Sequence, residues 1–195
     1  MEVVLLRHGE ALGNPEHRFV GITDAPLTQK GEEQAIRRSS LIPRVECVFT
    51  SPLRRCVRTA DIVWPDSRQI VVEDLRETNF GRFENKRHEE LENDPEYQVW
   101  LNSGGEAGIA GTETLDTCIL RIQSALIEIL KICSQNSFKS IGVVTHGGTI
   151  TNMLWKFGKP KREYYDWLSP NCGGWIVEIT ESPIELNMIC ALEQI

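Results

Sequence analysis

The apolar positions of this chain come in short blocks separated by polar, glycine-containing turns. Val3-Val4-Leu5-Leu6 is apolar without alternation, which predicts a central parallel strand buried on both faces. It stops abruptly at Arg7-His8-Gly9-Glu10. "PLTQKGEEQAIRRSSLI" predicts a helix capped by Thr28, with Glu32 and Glu33 early and Arg37 and Arg38 late, as the helix dipole favours. "VECVFTS" predicts a second strand. "SPLRRCVRTADIV" predicts a helix with Ser51 at its cap and Pro52 in its first turn. "QIVVEDL" predicts a third strand.

From Arg76 to about Thr114 the chain turns polar and glycine-rich, which is too long for a plain loop. A lid-like insertion is predicted there, with short helices around Lys86–Glu92 and Pro95–Leu101. A long amphipathic helix follows. Leu115, Cys118, Ile119, Ile122, Leu126, Ile129, Leu130 and Cys133 fall on one face and predict core. "SIGVVTHGG" predicts a fourth strand and "TITNMLWKF" a helix. "GGWIVEIT" and "IELNMICALE" predict two last strands, a hairpin at the sheet edge. Alternating strands and helices give an α/β chain, here a three-layer α/β/α sandwich around a mostly parallel sheet. The expectation is a single domain over residues 1–195 with an inserted lid at about 76–114.

Composition narrows the classes. A chain of 195 residues that is 41% hydrophobic can build a core. A net charge of -7 argues against sequence-independent binding to nucleic-acid backbones, though not against a small anion held by a few arginines. Its six cysteines form no C-x-x-C pair, so buried free thiols are expected rather than disulfides or zinc. The start of the chain shows no basic region followed by a long apolar run, and no stretch is long enough to span a membrane. A cytoplasmic protein is expected, without membrane association. The final hairpin offers an apolar edge on which a homodimer could form, unless Trp175 and Ile176 are core.

The candidate chemistry lies where strands end. In open α/β sheets, ligands sit beyond the carboxyl ends of the strands. Two strands here finish alike, as "LLRHGE" and "VVTHGG", each delivering a histidine followed by glycine. Arg55 and Glu77 also fall just past strand ends. Arginine matches phosphate oxygens bidentately and stays charged. A neutral histidine can be a nucleophile. A carboxyl beside bound phosphate can donate a proton to a leaving alkoxide. The parts add up to phosphoryl transfer without metal. Only four histidines, without ligand-like spacing, argue against a metal site. His17 and His88 are expected at the surface.

Five ordered blocks, "LLRHGEALGN", "GITDAPLTQKGEEQA", "FTSPLRRCVRTA", "LRETNFGRFEN" and "VVTHGGTI", make the sequence resemble the histidine phosphatase superfamily, which includes cofactor-dependent phosphoglycerate mutase. The resemblance implies that His8 is the nucleophile. It implies that Arg7 and Arg55 clamp the phosphoryl oxygens and that His146 donates to them. Glu77 would be the proton donor and then the base for water. Asn14 would donate to the phosphate or leaving oxygen, the Gly147 amide would lie beside the phosphate, and Val20 and Gly21 would offer backbone contacts. No cofactor is implied.

Some positions depart from the family pattern. Ala11 stands where many relatives have threonine. Phe83 keeps the bulk of a usual tryptophan. Glu113, rather than Glu106, is the expected counterpart of the G-G-E-S glutamate. The compact chain and its acidic lid favour hydrolysis of a small phosphomonoester, as in the short bacterial phosphatases, including those like α-ribazole phosphatase. The alternatives are mutase-type transfer and a binding module for phosphorylated ligands. The complete set His8, Arg55, Glu77 and His146 argues for the enzyme.

Overall fold

The structure, a computed structural model, describes residues 1–109 and 111–192. Its strands are β1 (Glu2–Arg7), β2 (Cys47–Thr50), β3 (Arg68–Val71), β4 (Ser140–Thr145), β5 (Gly158–Lys159), β6 (Gly174–Glu181) and β7 (Ile184–Leu192). The helices are α1 (Gln29–Ser39), α2 (Arg54–Val63), α3 (His88–Leu91), α4 (Pro95–Asn102), α5 (Leu115–Asn136) and α6 (Gly147–Phe157). The strands form one sheet in the order β3-β2-β4-β1-β6-β7-β5. From β3 to β1 all pairs are parallel, and β6 turns the sheet antiparallel on the other side of β1. β1 is therefore central, as its unbroken apolar run predicts, but parallel on one side only.

The period-2 alternation of β1 explains the three layers. Val3 and Leu5 join the core formed with α5 and α6, including Ile122, Ile129 and Ile150. Val4 and Leu6 face the opposite side and pack with Ala35 of α1 and Cys56, Ala60 and Val63 of α2. Each fully buried aliphatic side chain contributes about 1.5–3 kcal/mol, enough to fix the register against a one-residue slip. A slip would exchange the two faces but would also pull His8 away from the edge where it belongs.

The lid has a small core of its own. Phe83, Leu91 and Tyr97 are buried together, with Phe19, Phe80, Trp100 and Ile109 packed against them. Phe83 therefore fills its place. Ala110 of the predicted insertion and Glu193 of the predicted last strand lie outside the described residues.

Several predicted boundaries shift. The third strand ends at Val71, because Glu73–Leu75 winds into one 3-10 turn. The first lid helix is only His88–Leu91. α6 begins at Gly147 rather than Thr149, so both glycines of "THGG" form its first turn. The hairpin β6–β7 is not at the edge, since β6 pairs with β1 and β5 covers part of β7. Trp175 is core, at 6% exposure. Thr28 caps α1 as expected, accepting from Gly31 N–H at 3.0 Å. Ser51 does not cap α2, whose cap position is Leu53; its hydroxyl is used elsewhere. All six cysteines are free, and Cys190 is exposed where a buried thiol was expected. No helix among the described residues is long and apolar enough to cross a membrane.

Candidate active site

The carboxyl ends of β1, β2 and β4 open onto one pit. β1 delivers Arg7 and His8, and β4 delivers His146 at the cap position of α6. The loop after β2 leads to Arg55 at the second position of α2. Glu77 follows the short turn after β3. His8, Arg55, Glu77 and His146 are all buried, and the two imidazole centroids stand 5.2 Å apart. The glycine after His8 has a steric cause. A Cβ at Gly9 would strike the carbonyl oxygen of Gly31, so only glycine lets this turn pass beneath α1.

The hydrogen bonds fix both histidine tautomers. His8 Nδ1 lies 2.6 Å from the Gly9 carbonyl oxygen, which can only accept, so Nδ1 carries the proton. His8 Nε2 is left with its lone pair and accepts from Arg55 Nε–H at 3.3 Å. The same Nε–H approaches His146 Nδ1 at 3.2 Å, so that nitrogen is also an acceptor. His146 then carries its proton on Nε2 and donates to Ser51 Oγ at 2.7 Å. Burial, and after it the Arg55 charge, pushes both imidazoles well below the ordinary histidine range. Both rings are neutral at pH 7.

Arg55 is held by main-chain carbonyls: Nη1 donates to Thr23 O and Nη2 to Gly21 O, each at 2.7 Å. Each terminal nitrogen is thus anchored by a main-chain carbonyl, while Nε points to the two imidazoles. Val20 O lies at 3.5 Å from Nη2. Gly21 N–H donates to Glu84 Oε2 at 3.2 Å. The two residues read as substrate contacts therefore hold Arg55, with both Gly21 backbone groups engaged. Arg7 donates from Nη1 to Ser169 O at 2.8 Å, while its Nε is buried with no partner among the described residues. Burial lowers the Arg7 pKa, opposed by the nearby Glu77 charge. Neither arginine forms a salt bridge among the described residues, in contrast to Arg121, which is bound to Glu113. One buried and one half-buried guanidinium without a paired carboxylate among the described residues, and one orphaned N–H, make a site for an anion.

Glu77 is fixed from three sides. Its Oε1 accepts from Thr78 N–H at 2.9 Å and from the Thr149 hydroxyl at 3.1 Å. Its Oε2 accepts from Gly148 N–H at 3.0 Å. Gly147 lies against Arg7: a Cβ there would sit 3.2 Å from the guanidinium Nε and carbon. As the first residue of α6, its N–H has no partner inside the helix. Asn14 Oδ1 accepts from Ala11 N–H at 2.9 Å and from Asn171 Nδ2 at 3.4 Å, which leaves its own Nδ2 as the donor for a ligand. His17 and His88 are exposed and outside the pit.

Sequence reasoning missed the residues that hold these groups. Ser51 and Thr149 bind His146 and Glu77; Asn171 donates to His8 O at 3.2 Å. Glu84 ties the lid to the loop that carries Gly21 and Thr23. Glu113, expected as the counterpart of the G-G-E-S glutamate, receives Arg121 Nε and Nη2 at 2.7 and 2.8 Å. Arg121 also donates to Asp74 O and Arg76 O, directly before Glu77. Its position among the buried residues of α5 was the available signal, a cation on an apolar face. Glu106 is exposed. Among the described residues, no group of three or more His, Cys, Asp or Glu is placed to hold a metal ion.

The chain is 32% identical over 189 residues, 93% of its length, to 2-carboxy-D-arabinitol-1-phosphatase of Triticum aestivum, of which it spans only 37%. It is 29% identical over 161 residues to the adenosylcobalamin/alpha-ribazole phosphatase of Escherichia coli, covering 79% of this chain and 77% of that one. The structure of a phosphoglycerate mutase from Thermus thermophilus superposes with a TM-score of 0.74 at 31% identity, covering 100% of this chain and 99% of that chain. Residues 3–190 match the model of the histidine phosphatase superfamily, branch 1, and the chain belongs to that superfamily.

Proposed function

We propose that the protein is a metal-independent phosphomonoesterase that works through a phosphohistidine on His8. The observation that carries this reading is the state of His8: neutral, with Nδ1–H bound to Gly9 O and the Nε2 lone pair turned toward Arg55 in a pit for anions. The Nε2 lone pair attacks phosphorus as the bond to the leaving oxygen breaks. Glu77, having taken up the proton of the bound phosphate monoanion, gives it to that oxygen. The Nδ1–H···O bond to Gly9 stabilises the charge that the ring gains. Arg7 Nε–H, Arg55 Nε–H and the Gly147 N–H offset charge on the phosphoryl oxygens. A water then attacks, Glu77 takes its proton, and the phosphorus–nitrogen bond breaks to give phosphate and neutral His8.

Phosphatase relatives, among them proteins named for sugar-acid and alpha-ribazole phosphates, support hydrolysis of a small metabolite ester. The name of the Thermus neighbour supports a second reading, transfer in place of hydrolysis. The deciding experiment is phosphate release from a panel of small phosphomonoesters in the presence of chelator, with His8→Ala beside the native chain. Release that persists in chelator and vanishes in His8→Ala is the expected result. Loss of activity in chelator removes the metal-free mechanism. Turnover only after addition of a bisphosphorylated primer replaces hydrolysis by transfer.

A further inference from the structure

A cavity of about 240 Å³ adjoins the pit on the side of Glu77. Its wall includes Thr78 and Gly148, the two residues whose N–H groups hold the Glu77 carboxylate. A group that protonates the leaving oxygen must lie on the leaving-group side. The cavity is therefore where the rest of the substrate extends. Four aromatic residues, Phe80, Trp100, Tyr164 and Tyr165, supply much of its lining. No lysine or arginine lines it among the described residues, and its one acidic residue, Glu113, is bound to Arg121. The nearby Arg76 is paired with Asp74 at 3.0 Å.

A substrate with a second anionic group, a carboxylate or another phosphate, would have to lose its hydration there with no cation to receive it. An uncharged ring would meet aromatic faces and edges instead. Resting on the phosphomonoesterase reading for its direction, we propose that this cavity receives the leaving group and selects an uncharged aromatic one, with Trp100 and Tyr165 among its contacts. The Tyr164 hydroxyl donates to Asn152 Oδ1 at 3.0 Å, which fixes one wall of the cavity.

Phosphonates test this without turnover. The affinities of 2-phenylethylphosphonate, propylphosphonate and 2-carboxyethylphosphonate are measured by calorimetry on the full chain. The phenyl compound is expected to bind at least about tenfold more tightly than the propyl one, and the carboxylate no more tightly than propyl. Trp100→Ala should bring the phenyl-to-propyl ratio toward one. Trp100 also packs in the lid core, so Tyr165→Ala, at a side chain 77% exposed, serves as the second variant and should lower the same ratio. A tighter carboxylate, equal affinities, no binding by any phosphonate, or a preference that survives both substitutions would overturn the proposal. A phenyl preference without phosphate release from any ester would leave the cavity assignment standing and remove the hydrolytic reading. Phosphate release without the preference would do the reverse.

Discussion

His146 donates its only proton to Ser51 Oγ at 2.7 Å, because its other nitrogen must accept from Arg55. When a phosphoryl group enters and His146 is to donate from Nδ1, the ring's one proton moves from Nε2 to Nδ1 by way of solvent, and Nε2 is left needing a donor. A hydroxyl can both accept and donate, so Ser51 can rotate and donate a hydrogen bond to Nε2. Alanine cannot. Ser51→Ala strands a buried N–H at a cost of about 1–3 kcal/mol, or about 5- to 150-fold in kcat/KM where the loss falls on the transition state. Ser51→Thr keeps the hydroxyl and should recover most of it. Equal rates for Ser51→Ala and the native chain would show that His146 never exchanges tautomers.

Glu84 governs Arg55 at one remove. Its carboxylate accepts from the N–H groups of Gly21, Ile22, Thr23 and Phe80 at 3.1–3.3 Å and from the Thr23 hydroxyl at 2.5 Å. The carbonyls of Gly21 and Thr23 in turn hold both terminal nitrogens of Arg55. Glu84→Ala should loosen this loop, lowering stability by about 1–3 kcal/mol and kcat/KM with it. Glu84→Gln keeps one acceptor and should fall between. Urea unfolding beside steady-state kinetics reads both; a stability loss with full kcat/KM would confine Glu84 to the lid.

Stability should drop in mild acid. His8 and His146 are neutral in the folded chain well below the ordinary histidine range, whereas the unfolded chain takes up protons near pH 6.5. Below that pH the unfolded state binds more protons, so stability falls as pH falls. The slope approaches about 1.4 kcal/mol per pH unit for each ring, additional to the carboxylate contributions. Replacing His8 by Asn should reduce the slope between pH 6.5 and 5 by one such increment. An unchanged slope would mean that His8 is not buried neutral.

Much of this was legible in the chain, for physical reasons. Unbroken apolar runs mark β1 and β4, and a histidine-glycine pair after each marks where they end. Arg7, His8, Arg55, Glu77 and His146 do converge in the structure. What held them was not legible, because it consists of contacts between segments far apart in sequence. Ser51 looks like a helix cap until His146 is placed above it. Glu113 and Arg121 look like a cap neighbour and a misplaced charge until they bind each other. Gly21 looks free for a ligand until Arg55 and Glu84 take its carbonyl and N–H. Local pattern reports what a segment does alone, and long-range polar pairing leaves no periodicity to read.

Glu77 is assigned two tasks, and Glu77→Gln should separate them. In the first step it protonates the leaving oxygen, which matters for an alkoxide and hardly at all for a nitrophenolate. In the second it takes a proton from water, which is the same for every substrate. The amide keeps one oxygen for Gly148 N–H, now 3.0 Å from the carboxylate, and its NH2 can donate to the Thr149 hydroxyl, while Thr78 N–H loses its acceptor. With alkyl phosphates the first step should become limiting and turnover should fall by about 10²–10⁴-fold, with no burst of alcohol. With p-nitrophenyl phosphate the first step should remain fast and the second should limit. The variant should then release one equivalent of nitrophenol per active site in a burst and accumulate phosphohistidine, detectable by ³¹P NMR as an acid-labile signal. An equal loss on both substrates with no burst would remove Glu77 from the proton-donor role and leave it as a group that only positions Gly148 and Thr149.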